Sequence, residues 1–152
     1  MKDKLSMKKS YGFLSLNIKR NGKTIKEEGH NLILDSAEVM IAGLIAGNSA
    51  YEIVTVTFGD DNTPLTDKTI ATLGGAIYPK VITDKTSSGN ETTITFKLNE
   101  DEWNGNDIWQ FALSCANGEV FCVKSRNPNY TTPIEKDVEV TIEGTWKIVT
   151  VI

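Results

Sequence analysis

VEVTIEGTWKI, Val138 to Ile148, alternates without a slip: Val138, Val140, Ile142, Gly144, Trp146 and Ile148 fall on one side, Glu139, Thr141, Glu143, Thr145 and Lys147 on the other. A side-chain period of two belongs to a strand with one face in a core and one in water, the habit of antiparallel sheets. The same period recurs in Glu91 to Leu98, with Ile94, Phe96 and Leu98 opposite Thr93, Thr95 and Lys97, and in Tyr11 to Arg20, with Leu14, Leu16 and Ile18 on one face. Asn21-Gly22 closes that first strand into a hairpin, because both positions tolerate positive φ; a two-residue loop pairs Arg20 with Lys23 and Ile18 with Ile25.

One segment breaks the pattern. In NLILDSAEVMIAGLIAGNS, residues Asn31 to Ser49, Asp35 is placed as an N-cap, Glu38 follows three residues later to complete a capping box, and Gly47 stands where a helix should end. Between the caps Val39, Met40, Ile41, Leu44 and Ile45 are apolar almost all round. That predicts a helix over about Asp35 to Ala46 buried on most of its surface, either plugging the sheets or covered by another subunit. The expected architecture is mostly β: an antiparallel β-sandwich or partly closed barrel with one inserted α-helix.

At 152 residues and 39% hydrophobic content, the chain can bury one sizeable core, so residues 11–152 are expected to form a single β-rich domain behind a basic arm, residues 1–10. No run of about 18 apolar residues suggests a membrane span, and MKDKLSMKKS lacks the apolar centre of a signal peptide; synthesis in the cytoplasm is the expectation. The net charge of −4 conceals +7 over Met1 to Lys26 and −11 beyond it. A basic arm on an acidic body suits contact with a neighbouring copy, through Lys4, Leu5, Met7, Lys8 and Lys9, better than contact with nucleic acid, and its plain alternative is a solvated tail.

Chemistry-bearing patterns are sparse. Cys115 and Cys122 flank Asn117-Gly118, and a two-residue turn there pairs Cys115 with Val120 and Leu113 with Cys122. The cysteines then share a face with Leu113 and Val120 as diagonal neighbours, a poor arrangement for a disulfide, and are read as reduced core thiols. The one histidine, His30, lies in the polar stretch EEGHN with no nucleophile elbow nearby, and no phosphate-binding glycine loop is present. No catalytic residue, cofactor or metal is assigned. The acidic turn Gly59 to Pro64, with Asp60-Asp61-Asn62, lacks the every-second-residue ligand spacing of a calcium loop, so it reads as a strand terminator, with a weak calcium site as the alternative.

Four stretches together resemble small structural proteins of tailed bacteriophages and phage-derived tails, of the tail, baseplate or fibre-associated kind. They are GHNLILDSAEVMIAGLIAG as a capped helix, VTVTFGDDNTPLTDKTI as a strand and acidic turn, ALSCANGEVFCVKS as a hairpin and VEVTIEGTWKIV as a closing strand. The resemblance covers Gly29 to Ile152 and implies a virion component, made in the host cytoplasm, that has no active site and assembles with copies of itself and other virion proteins. Gly144-Thr145-Trp146 would lie on a core strand, and the turn at Gly59 to Pro64 between sandwich and insert. The other reading is a carbohydrate- or receptor-binding β-sandwich module, using the loop aromatics and amides Trp103, Asn104, Asn106 and Tyr130; Trp109, in step with Phe111, Leu113 and Cys115, is assigned to the core instead.

Overall fold

The computed structural model describes residues 10–151. In chain order the elements are β1 (Tyr11–Arg20), β2 (Lys23–His30), β3 (Leu32–Ile33), α1 (Ser36–Ile45), a 3-10 turn (Ser49–Tyr51), β4 (Ile53–Gly59), β5 (Ile77–Val81), β6 (Asp84–Ser88), β7 (Glu91–Leu98), β8 (Asn106–Ile108), β9 (Gln110–Cys115), β10 (Val120–Ser125), β11 (Ile134–Lys136) and β12 (Val140–Val149). Two five-stranded sheets, β2-β1-β12-β7-β6 and β3-β10-β9-β4-β5, face each other as a β-sandwich, with a small β11-β8 ribbon beside them. All pairings are antiparallel. The sandwich is not a closed barrel, although the chain passes between sheets at both flanks. It turns at Asn31 between β2 and β3, and at Ile82-Thr83, where Ile82 N–H donates to Val54 in one sheet and Thr83 N–H to Thr95 in the other.

The strand read first from the sequence is the middle of its sheet, flanked by β1 and β7. Val140, Ile142, Trp146 and Ile148 are buried as the alternation requires, but Val138 is exposed in the turn before β12. Gly144 has a packing reason. A Cβ there would lie 2.1 Å from the Phe96 ring, which occupies the missing side chain's space across the strand pair Gly144–Phe96. Trp146 is fully buried, and its indole N–H donates to Asn31 Oδ1 at 3.0 Å, so the residue that turns the chain between sheets also satisfies the one polar atom of the core's largest side chain. Phe58 meets Phe96 and Phe111 edge-on at 5.9 and 5.8 Å, joining the two sheets.

The first hairpin has the expected register, Arg20–Lys23 and Ile18–Ile25, with Asn21 and Gly22 both at positive φ. The β9–β10 hairpin keeps Leu113 opposite Cys122 but pairs Val120 with Ser114, not with Cys115. A bulge between Val120 and Cys122 adds one residue, which sends Val120 to the outer face and Phe121 into the core with Cys115 and Cys122. Outside that sheet, residues 60–76 form a closed loop whose neck is Asp60 N–H to Ala76 O. Leu65, Ile70 and Leu73 of this loop pack with Leu34, Ala112, Val120 and Val123, so the outer face of the second sheet carries its own small core.

Helix α1 differs from expectation in two ways. Asp35 occupies the N-cap, yet its backbone is already helical and its side chain makes no cap hydrogen bond; its N–H is instead tied to Lys68 O of the loop. No capping box forms. The C-terminus behaves as read: Gly47 at φ +83° lets its N–H reach Leu44 O and lets Asn48 N–H reach Gly43 O, closing the helix. The larger difference is burial. Only Ala37 and Met40 are fully enclosed, while Val39, Leu44 and Ile45 are 59%, 42% and 77% exposed. Within one chain, α1 plugs the sandwich with a single face.

Candidate functional site

In the carbohydrate- or receptor-binding alternative, the loop that joins β7 to β8 presents Trp103, Asn104 and Asn106 to a ligand. It is anchored by Lys136 of β11, 2% exposed, whose ammonium donates to Asn104 Oδ1 at 2.8 Å, Asp137 O at 3.1 Å and Glu100 O at 3.3 Å. Burial lowers the Lys136 pKa, with Asp137, Glu102 and other carboxylates opposing it. Asn106 Nδ2 is turned onto the carbonyls of Trp103 and Asn104. Trp103, at φ +50°, is half-buried against the main core and stacks on Tyr78 at 6.1 Å with 24° between the planes. The amide and indole groups chosen for sugar contact are thus engaged in holding their own loop.

Beneath Trp103, Glu102 accepts from Lys80 Nζ at 2.6 and 2.7 Å, Tyr78 hydroxyl at 2.9 Å and the Asn99 backbone N–H and side-chain amide at 3.0 and 2.8 Å. Burial opposes its ionisation, but these donors outweigh it and hold the carboxyl at about 2. The group is an ionised structural acceptor, not a proton donor near neutral pH. Tyr130 sits elsewhere, with its ring 4.8 Å from the Arg126 guanidinium. Arg126 bridges from the end of β10 to Glu27 on β2 through Nε to Oε1 at 2.9 Å and Nη2 to Oε2 at 2.7 Å, and its other nitrogen donates to Thr132 O. Both side chains are nearly enclosed, at 8% and 7% exposure. Tyr130 therefore belongs to a latch at the β2 edge and not to the Trp103 loop. Trp109, assigned to the core, is half-buried and belongs to neither apolar cluster.

At the acidic turn, Asp61 accepts from Thr63 N–H and Asp60 from Ala76 N–H, both at 2.8 Å, so each aspartate serves the loop backbone; the Thr63 bond also lowers the Asp61 pKa. Asn62 contributes its carbonyl, to Asn127, and not its side chain. No group of three His, Cys, Asp or Glu side chains that could hold a metal occurs among the described residues. His30 ends β2, exposed, edge-on to Phe13 and Tyr11 at 5.3 and 5.9 Å. Cys115 and Cys122 are free and buried.

The surface feature that stands out is at the α1 end of the sandwich. Beside the exposed Leu44 and Ile45 opens a groove of about 400 Å³ whose walls are Ile41, Leu44, Ile53, Ile94, Phe121 and Ile148, with the Glu52–Lys85 ion pair (2.6 Å) on its rim. Isolated exposed apolar residues are ordinary, but a contiguous apolar groove beside exposed helix residues is more than that scatter. Its signal in the sequence was the surplus of apolar residues around α1, more than one buried stripe requires. Lys4, Leu5, Met7, Lys8 and Lys9 lie outside the described residues. Ser10, the first described residue, is fastened to Val151, whose N–H donates to Ser10 Oγ at 2.8 Å, while Ser10 Oγ lies 3.1 Å from Val151 O. No helix of the described residues is long and apolar enough to cross a membrane. No family model, curated protein or solved structure matches this chain.

Proposed function

We propose that the chain is a non-enzymatic structural and assembly component of a phage or phage-derived tail, baseplate or fibre attachment region, built into the virion beside copies of itself and other virion proteins. The observation that supports assembly is the apolar end around α1. Leu44 and Ile45 stand in water next to a groove of apolar walls, with Val39 exposed elsewhere on the same helix, and covering each such side chain is worth roughly 1.5 to 3 kcal/mol before ordering costs. The tail assignment draws on the resemblance of Gly29 to Ile152 to tail proteins.

The polar clusters fit a structural role: Lys136, Glu102 and Arg126 each spend their hydrogen-bonding capacity inside the fold. The carbohydrate- or receptor-binding alternative draws less support, since Asn104 and Asn106 are engaged within their loop and Trp103 covers Tyr78. The test is mass spectrometry and symmetry measurement on purified particles from the host that carries this gene. Recovery of the chain at fixed copy number in a tail or baseplate is the expected result. Its absence from particles, together with retention on a glycan array that Trp103→Ala abolishes, would favour the module instead.

A further inference from the structure

A second cleft, of about 290 Å³, opens on the outer face of the other sheet, beside the loop of residues 60–76. Its floor follows from strand alternation. Val56 and Phe58 enter the core, so Thr55 and Thr57 of β4 face outward, and Ala112 and Ser114 of β9 do the same between core residues Phe111, Leu113 and Cys115. Thr55 pairs with Ser114 and Thr57 with Ala112, which brings the three hydroxyls onto one small patch. The walls are aliphatic: Leu73 from the loop, Ile77 and Pro79 of β5, and Val120 of β10. Backbone bonds hold them, Asp60 N–H to Ala76 O at the loop's neck and Cys115 N–H to Glu119 O at the hairpin, so the fold sets the shape of the cleft.

The polar groups of this floor are enclosed but unused. Thr57 and Ser114 are 7% and 8% exposed, yet neither hydroxyl has a hydrogen-bond partner among the described residues and neither is sealed from solvent; both line the cleft. No charged and no aromatic side chain stands among the walls, so nothing there selects an ion or stacks a flat ring. A hydroxyl rotates and both donates and accepts, which matches a ligand whose own groups do the same better than an amide or base edge with donors and acceptors fixed in a plane. Aliphatic walls take C–H surface. We infer that this cleft binds one neutral hexopyranose ring, its hydroxyls on Thr55, Thr57 and Ser114 and its C–H face against Leu73, Ile77 and Pro79. A ring of about twelve non-hydrogen atoms, at the efficiency of ordinary ligands, binds with a dissociation constant of about 1 to 10 mM. The site shares no residue with the Trp103 loop or the groove beside α1 and does not depend on the assembly reading.

The isotopically labelled full-length chain is titrated, by nuclear magnetic resonance, with the methyl pyranosides of glucose, galactose, mannose and N-acetylglucosamine up to about 50 mM. The expected result is a saturable shift, with at least one of them, at the backbone amides of Thr57, Ser114 and Val120. Thr57→Val and Ser114→Ala remove a hydroxyl and little else, and each should weaken binding roughly three- to tenfold. Thr72→Trp, at an exposed position on the rim, should block the cleft and abolish the shifts, while Thr95→Val, on the outer face of the opposite sheet, should leave them unchanged. The amide spectrum away from the cleft reports whether each variant keeps the fold; if a floor variant loses it, Thr72→Trp decides. No saturable shift with any of the glycosides overturns the inference. So do shifts that survive Thr72→Trp, and so does binding of glucuronate or cyclohexanol as tight as that of the sugars, since the first would show an anion site and the second an aliphatic slot. A chain found in particles that binds no glycoside fails this inference alone, and one that binds a glycoside but is absent from particles fails the assembly reading alone.

Discussion

Replacing Glu27 with alanine should be among the most damaging single changes to this fold, although Glu27 lies on an edge strand. Its carboxylate takes two hydrogen bonds from Arg126, at 2.9 and 2.7 Å, and both side chains are more than nine-tenths enclosed. Removal leaves the guanidinium with Thr132 O and the Tyr130 ring but with no counter-charge, inside a site where water replaces the carboxylate poorly. Breaking one side of a buried pair costs about 3 to 5 kcal/mol, against a total stability on the order of 5 to 15 kcal/mol for a domain. At roughly 2 to 4 °C per kcal/mol for a chain of this size, the melting temperature should fall by about 6 to 20 °C. Glu27→Ala with Arg126→Met removes both charges and should recover most of the loss. The assay is urea and thermal unfolding of the two single variants, the double variant and the parent. A Glu27→Ala loss under about 1 kcal/mol, the range of an exposed pair, or a double variant no more stable than Glu27→Ala, would refute the latch.

Gly144→Ala should cost about 1 to 3 kcal/mol or more, because its Cβ would fall 2.1 Å from the Phe96 ring; Phe96→Leu in the same chain should recover part of that, and equal melting of parent and Gly144→Ala would sink the packing account. Glu102 supplies a pH dependence. Its folded pKa, about 2, lies below its ordinary 4.5, so its contribution is complete above 4.5 and is lost as pH falls toward 2. The loss is on the order of 3 kcal/mol, and Glu102→Gln should flatten that part of the stability profile; an unchanged acid slope contradicts the assignment. Burial pushes the Cys115 thiol up to about 11 and the Cys122 thiol well above its ordinary value. Both should therefore resist thiol reagents at pH 8 until urea unfolds the chain, and rapid labelling of native protein, or a parent mass two units low that reduction restores, would show otherwise.

What the sequence alone determined is whatever depends on neighbours along the chain. The period of two in Tyr11–Arg20, Glu91–Leu98 and Val140–Val149 names a buried face without reference to a partner, and Asn21-Gly22 sets the register of the strands it joins, because only such residues take positive φ cheaply. Gly47 ended the helix for the same reason. Tertiary structure decided whatever depends on residues distant in sequence. The surplus apolar face of α1 was visible, but which side faces the core and which stands in water follows from the position of Met40 beside Cys115, 75 residues away. Neither tryptophan's packing could be read locally: Trp109 kept the parity of β9 but lies just before that strand and joins neither apolar cluster, whereas Trp103, in a polar loop, stacks on Tyr78 and packs against the main core. One inserted residue near Phe121 reversed the sides taken by Val120 and its successor, and no local pattern encodes such a bulge. The Arg126–Glu27 pair, 99 residues apart, and the Lys136 cradle are likewise absent from any window of sequence. A charge is worth enclosing only when the fold delivers its partners, and that delivery is a property of strand order, which alternation and turn chemistry do not specify.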